Sequence, residues 1–178
     1  MKNVVQQLSQ YKSVHFNKMN IKTHFIGIPL IILSLTILLS LITFQLGDLT
    51  DPTNVTLAMI FYSFVIIYYF ILHWRLALGM VAYIIPNLYL ASLIAPVEGA
   101  LWIAIAVFVI GWIFQFIGHY YEKAKPAFVD DFKQLLIGPF FLMAEVYFGL
   151  GWEKKLLAEI TPLARDKRRA LEAKNRGE

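Results

Sequence analysis

ALWIAIAVFVIGWIFQFIG, residues 100–118, runs for nineteen positions without a charged side chain. A bilayer core about 30 Å thick needs roughly 20 apolar residues of helix. A helix buried in a water-soluble bundle would show a polar face at helical spacing, and this stretch is apolar all round. It therefore reads as a transmembrane helix. Working outward, three more runs reach the same length: about Phe25–Leu46, Val55–Trp74 and Leu76–Ala95. A fifth, about Phe132–Leu150, is broken by Gly138-Pro139 and carries Glu145. The first run has no small-residue cleavage site and is too long for a signal peptide.

Composition agrees. Of 178 residues, 58% are hydrophobic and 16% charged, against about 25% charged in an average soluble domain. The charges gather in residues 1–22, around 122–133, and from Glu153 onward. The absence of cysteine excludes disulfides and thiolate metal sites. In such a chain a net charge of +4 reads as cytosolic flanks facing anionic lipid, not as nucleic-acid binding.

Lysine and arginine bias sets the orientation. Lys2, Lys12, Lys18 and Lys22 precede the first run. The link Gly47–Asn54 holds Asp48 and Asp51 and no base. Arg75 lies between runs two and three, Glu98 between three and four, and Lys123, Lys125 and Lys133 follow run four. Basic and non-basic links alternate, which puts the N-terminus in the cytosol. The basic tail after run five also favours the cytosol. The fifth run is therefore expected to dip in and return, or to lie in the interface, bending at Gly138-Pro139. The expected class is all-α, a polytopic integral membrane helical bundle with four spanning helices and a re-entrant or interfacial fifth segment. It forms one domain over 1–178, with a cytosolic N-terminal segment at 1–24 and a basic cytosolic tail at 153–178. Within that tail a short, mostly solvated surface helix is expected over about Ala158–Ala173.

This topology sorts the four histidines. His15 and His24 precede or begin span one, and His119 ends span four, so all three sit at one membrane depth. Imidazole is a common metal ligand and a common acid or base. His15 and His24 differ by nine positions, about 180° apart on a straight helix at roughly 100° per residue. To share a metal, the chain must break between them, and Asn17 and Asn20 are good N-caps for a restart. Tyr11 lies one turn before His15, and Asn20 one turn before His24, where it can hold a ligand histidine in place. Gln115, His119 and Glu122 share a helix face. Glu122 can complete a set of two histidines and one carboxylate, which suits non-haem Fe(II). It can equally accept from an imidazole N–H, or be a solvated charge beside Lys123 and Lys125. His73, at the end of span two, is an interfacial histidine or a fourth ligand. Glu145 in an apolar run is costly unless paired or wet. There is no HExxH, no Walker A and no GxGxxG, and four histidines are too few for the two-iron boxes of membrane desaturases.

Two stretches carry a family resemblance. One is Tyr11-x3-His15-x4-Asn20-x3-His24-x2-Gly27-x-Pro29. The other is Gly111-Trp-Ile-Phe-Gln-Phe-Ile-Gly-His119, followed by Glu122, Lys125-Pro126-Ala127, Asp130 and Gly138-Pro139. Over about residues 8–152 the chain resembles the Mpo1-like family. The resemblance implies an Fe(II)-dependent dioxygenase that shortens 2-hydroxy fatty acids by one carbon. His15, His24 and His119 match the family's histidines. On this expectation Glu122, Asn20, Gln115 and Tyr11 support the reaction, and Lys123 or Lys125 attracts the substrate carboxylate. The partners are the 2-hydroxy fatty acid, O2 and membrane lipid. The setting is a bacterial inner membrane or, in a eukaryote, the endoplasmic reticulum. A non-catalytic membrane carrier or assembly protein is the competing expectation, resting on Glu145 and the broken fifth run. A zinc-dependent membrane lipid hydrolase is the third.

Overall fold

The computed structural model describes residues 3–46, 53–131 and 133–176. The order is α1 (Val4–Lys12), α2 (Lys18–Ser40), β1 (Thr43–Leu46), β2 (Thr53–Thr56), α3 (Leu57–Leu72), α4 (Trp74–Ile94), α5 (Ala100–Glu122), α6 (Ala127–Asp130), α7 (Gln134–Gly149) and α8 (Lys154–Arg176). Two compact units divide the chain: residues 1–25 with 114–178, and residues 26–113.

In the unit of residues 26–113, α2, α4 and α5 contribute apolar helix. Ile37, Ala91 and Ala104 form its core, flanked by Leu33, Leu38 and Ile94. Gly111 of α5 makes a close approach possible, because a Cβ there would lie 3.0 Å from the Gly27 carbonyl and 2.8 Å from Ile31. Thr36 satisfies the Tyr62 hydroxyl at 2.9 Å inside this apolar setting. Outward, large side chains stay bare: Phe64 is 70% exposed and Trp102 72%. Water would penalise so large an apolar surface, whereas lipid tails do not. α2, α4 and α5 are long and apolar enough to cross a membrane, and α3 and α7 are shorter apolar helices. The protein is an all-α membrane bundle.

Several boundaries differ from the sequence expectation. α2 stops at Ser40, and residues 43–46 pair antiparallel with 53–56. This ribbon takes Leu46 from run one and Val55 from run two. Thr43, Val55 and Thr56 are β-branched and suit strand better than helix. The acidic part of the expected link, residues 47–52, lies outside the described residues. His73 adopts an extended backbone, φ −165°, and ends α3 one residue before Trp74.

The unit built from both ends of the chain packs α7 and α8 on α1. α7 runs through Gly138-Pro139 as one continuous helix, so the chain does not turn back there as expected. Pro139 is only the sixth residue of α7, so its missing N–H frees a single carbonyl near the helix start. α8 is a surface helix with most of its residues exposed, as expected, but one of its faces is buried. Leu156, Ile160 and Ala164 recur every four residues, share one face and are buried. The helix also begins at Lys154 and ends at Arg176, beyond the expected limits on both sides.

The cost of Glu145 is offset by Lys12, whose Nζ lies 2.7 Å from its Oε1 and 5.5 Å from the Phe141 ring centroid. Breaking a buried pair by removing one partner costs about 3–5 kcal/mol. With side chains 10% and 18% exposed, Glu145→Ala is expected to cost somewhat less, about 2 kcal/mol. The apparent Tm in detergent should fall by several degrees, and Lys12→Met in the same chain should restore most of it. An unchanged Tm for Glu145→Ala would show that the pair contributes nothing.

Candidate metal centre

Three separate segments bring three imidazoles together. α1 begins with a capping box, in which Asn3 Oδ1 accepts from the Gln6 N–H at 2.8 Å. It ends at Lys12, and the chain turns through residues 13–17. α2 restarts at Lys18, where Asn17 Oδ1 accepts the Met19 N–H at 2.8 Å. The break that the nine-residue spacing required is therefore present, and Asn17 caps the restart. It lets His15 and His24 face each other instead of pointing apart. His119, near the end of α5, completes the set.

The ring centroids lie 4.6 Å apart for His15–His24, 5.0 Å for His15–His119 and 5.1 Å for His24–His119. One ligand atom from each imidazole falls within 4.8 Å of the others, and all three residues are buried. Among the described residues His73 is not part of this group. It caps α4 instead, its Nδ1 accepting from the Leu76 N–H at 3.4 Å.

Hydrogen bonds fix the tautomers. His15 Nδ1 donates to the Tyr11 carbonyl at 2.6 Å, and His24 Nδ1 donates to the Asn20 carbonyl at 2.8 Å. Each Nε2 then carries a lone pair, and the two Nε2 atoms lie 3.0 Å apart. Two facing acceptors repel unless a proton or a cation sits between them. Imidazole nitrogens each about 2.1 Å from one ion, at about 90° to each other, are about 3.0 Å apart. Unpaired buried polar atoms are costly, and a metal ion between the two Nε2 atoms would remove that cost. The donor set fits a divalent cation.

Burial, reinforced by His24, His119 and Lys12, holds the His15 imidazole well below its ordinary pKa, against the opposing effect of the Tyr11 carbonyl. The folded, metal-free site therefore refuses a proton that the unfolded chain accepts near pH 6.5. Stability is full above that value and is lost as pH falls from about 6.5 toward the depressed folded value. The apparent Tm of metal-free protein should be flat from pH 7 to 8 and decline below 6.5. His15→Gln should make that decline shallower, since one of the three buried imidazoles is then gone. An equal slope in the variant would count against a neutral, buried His15.

Of the other expected site residues, Tyr11, Asn20 and Glu122 contact this cluster or the chain link beside it. The Tyr11 ring stacks on His15, centroids 4.1 Å apart and 4° from parallel. Burial pushes its hydroxyl pKa up. Its contact with the cluster is thus through ring and carbonyl. The Asn20 side-chain amide donates to Glu122 Oε2 at 3.0 Å and to the Val14 carbonyl at 3.2 Å. Glu122 lies outside the metal-ligating group. Its carboxylate accepts the N–H groups of Phe16 at 3.1 Å and Asn17 at 2.8 Å, so it pins the link between the two N-terminal histidines. Gln115 is 5% exposed, and its Nε2 has no hydrogen-bond partner. Lys123 and Lys125 are exposed. Lys123 takes a left-handed backbone, φ 53°, as α5 ends.

Two contributors escaped the sequence reading. Phe141 of α7 sets its ring 4.9 Å from Tyr11 and 5.7 Å from His15. Arg168 of α8 reaches Glu122 Oε1 at 3.1 Å. Leu156, Ile160 and Ala164 were the available signal for α8, an apolar stripe that continues in register toward Arg168. Phe141 gave no signal of its own within a run of apolar residues.

The sequence matches the family model described as "2-hydroxy-palmitic acid dioxygenase Mpo1-like" over residues 1–150. A Saccharomyces cerevisiae protein named 2-hydroxy-palmitic acid dioxygenase MPO1 is 34% identical over 158 residues, covering 86% of this chain and 85% of that protein. No solved structure matches the chain. The histidine motifs resembling this family at residues 11–29 and 111–119 are the segments that converge in the structure, and the match spans most of the chain: the protein belongs to the Mpo1-like family.

Proposed function

We propose that the protein is a membrane-embedded Fe(II)-dependent dioxygenase that shortens 2-hydroxy fatty acids by one carbon. The observation that carries this reading is the buried three-imidazole cluster with facing Nε2 atoms 3.0 Å apart. The name of the yeast relative supports a 2-hydroxy fatty acid as substrate and O2 as co-substrate. Three neutral nitrogens on one side of an ion leave other positions open, as O2-using iron sites require.

His15, His24 and His119 would hold the iron. When bound, the iron would supply the activation of O2 and the Lewis acidity that gathers a 2-hydroxy acid. The protein residues do the rest. The Tyr11 and Asn20 carbonyls keep Nδ1 protonated and Nε2 free on His15 and His24. Glu122 fixes the chain link between these ligands. Gln115, with a buried and unpartnered Nε2, donates a hydrogen bond to the polar head of the substrate. Lys123 and Lys125 supply a positive field for a fatty carboxylate. The alkyl chain stays in apolar surroundings, which accounts for a lipid-embedded enzyme. The histidine centre lies toward the cytosolic face, in keeping with the basic N-terminal segment and the basic links. A bacterial inner membrane or an endoplasmic reticulum membrane both suit that orientation.

The reaction balances without another reductant: R–CHOH–COOH and O2 give R–COOH, CO2 and H2O. Incubating the iron-loaded protein with 2-hydroxyhexadecanoic acid under 18O2 should yield pentadecanoic acid, with label in the carboxyl group and one O2 used per chain shortened. Hydrolysis of an ester lipid without O2 uptake would overturn the dioxygenase reading in favour of a zinc hydrolase.

A further inference from the structure

We propose that Arg168, on the C-terminal helix α8, is a positioning residue for the histidine centre. It would act through Glu122 and the link between His15 and His24. The proposal rests on the metal-centre reading above and adds a part that lies outside the matched family region. The family model ends at residue 150, and α8 begins at Lys154.

The chain of contacts is continuous. The Glu122 side chain is 2% exposed. Its carboxylate receives the Phe16 and Asn17 N–H groups at 3.1 and 2.8 Å and the Asn20 amide at 3.0 Å. All three donors lie between the two N-terminal histidines, so the carboxylate decides where that link sits. Its paired cation is Arg168. The Nη1 atom meets Glu122 Oε1 at 3.1 Å, and Nη2 meets the Glu122 carbonyl at 3.1 Å. Nε is turned the other way, donating to Glu172 Oε1 at 2.6 Å one turn along α8. Three donors of one planar fork are thus used at once, which lysine cannot reproduce.

α8 is held in place independently of that contact. Leu156, Ile160 and Ala164 are buried and α8 packs on α1. Lys167 donates to Ser9 Oγ at 3.0 Å and to the Gln6 carbonyl at 3.3 Å. Loss of the guanidinium alone would leave the helix docked and the Glu122 anion buried without its countercharge. Such an anion is drawn toward water, which loosens its hold on Phe16, Asn17 and Asn20, and with it the spacing of His15 and His24. Groups that orient metal ligands typically contribute 10–100-fold to metal affinity.

Co(II) binding in mild detergent tests this, with affinity measured by chelator competition and ligand geometry by the visible spectrum. Arg168→Met should weaken Co(II) binding at least about 10-fold and alter the spectrum. Arg168→Lys should recover only part of the affinity. In an E122Q background, R168M should add little further loss, as a shared pathway requires. A folded R168M protein with wild-type affinity and spectrum would overturn the proposal. If R168M does not fold, Arg168→Gln, which keeps a polar side chain but removes the charge paired with Glu122, takes its place: a weakened affinity supports the proposal and an unchanged one overturns it. A wild-type protein that binds no Co(II) would remove the metal-centre reading beneath it, which is a distinct result.

Discussion

Replacement of His24 by alanine should abolish metal retention and lower turnover of a 2-hydroxy fatty acid by far more than 100-fold. His24 is 1% exposed, and its Nε2 stands 3.0 Å from that of His15. Removing it takes away one of three donors and half of the facing pair. Two imidazoles bind a divalent ion far more weakly than three, and His15, held by the Tyr11 carbonyl and ring, cannot move into the vacated volume. The loss should therefore exceed the 10–100-fold typical of losing a partner that merely orients a ligand. Asn20→Ala provides that comparison. It keeps the backbone carbonyl that holds His24 Nδ1 but removes the amide that ties Glu122 to the Val14 carbonyl. Its loss should fall within that range. Metal per chain and initial rate, measured on both variants, separate the two roles. Equal losses would mean that His24 is not a ligand.

Gly118→Ala should be nearly as damaging, although the change is one methyl group. A Cβ at Gly118 would lie 2.5 Å from Asn20 Oδ1 and 3.1 Å from His24 Nδ1, and it would also meet Thr23 Oγ1. None of these atoms can yield cheaply. Asn20 is fixed by two donated hydrogen bonds, Thr23 by its bond to the Asn20 carbonyl, and His24 by its own Nδ1 contact. Overpacking of a tight site costs about 1–3 kcal/mol in stability. The functional loss should be larger. His119 is the next residue, so a helix displaced to relieve the clash carries one ligand away from the other two. A misplacement of about 1 Å can cost about 100-fold in rate. Gly149→Ala is the control, since nothing lies within 4 Å of a Cβ there. It should leave rate and metal content unchanged. Wild-type rate and metal content in Gly118→Ala would show that α2 and α5 do not need this close approach.

Much of this site is visible in the sequence because hydropathy and loop charge set the course of the chain. They led to the expectation that His15, His24 and His119 share one depth, and the structure brings the three imidazoles together. The nine-residue spacing of the first two histidines demanded a break, and Asn17 marked where the helix restarts. What stayed hidden has a common cause. Lys12 with Glu145 and Arg168 with Glu122 are pairs far apart along the chain. Each member looks like an ordinary surface or misplaced charge until two helix faces meet. Glu122 fitted a ligand by residue type, but its oxygens are taken up by Phe16, Asn17, Asn20 and Arg168. The β1–β2 ribbon was missed because its apolar residues extend the neighbouring apolar runs. Only the β-branched character of Thr43, Val55 and Thr56 distinguishes it.

Central to this account is one metal ion, held by three histidines, on which O2 chemistry depends. The most direct measurement strips the detergent-solubilised protein of metal, reloads it with Fe(II) or Zn(II), and follows O2 uptake with a 2-hydroxy fatty acid present. One Fe(II) per chain should restore uptake, Zn(II) should occupy the same site without restoring it, and a chain lacking His119 should respond to neither. Full activity in the stripped protein, or iron-restored activity in the chain lacking His119, would contradict the account.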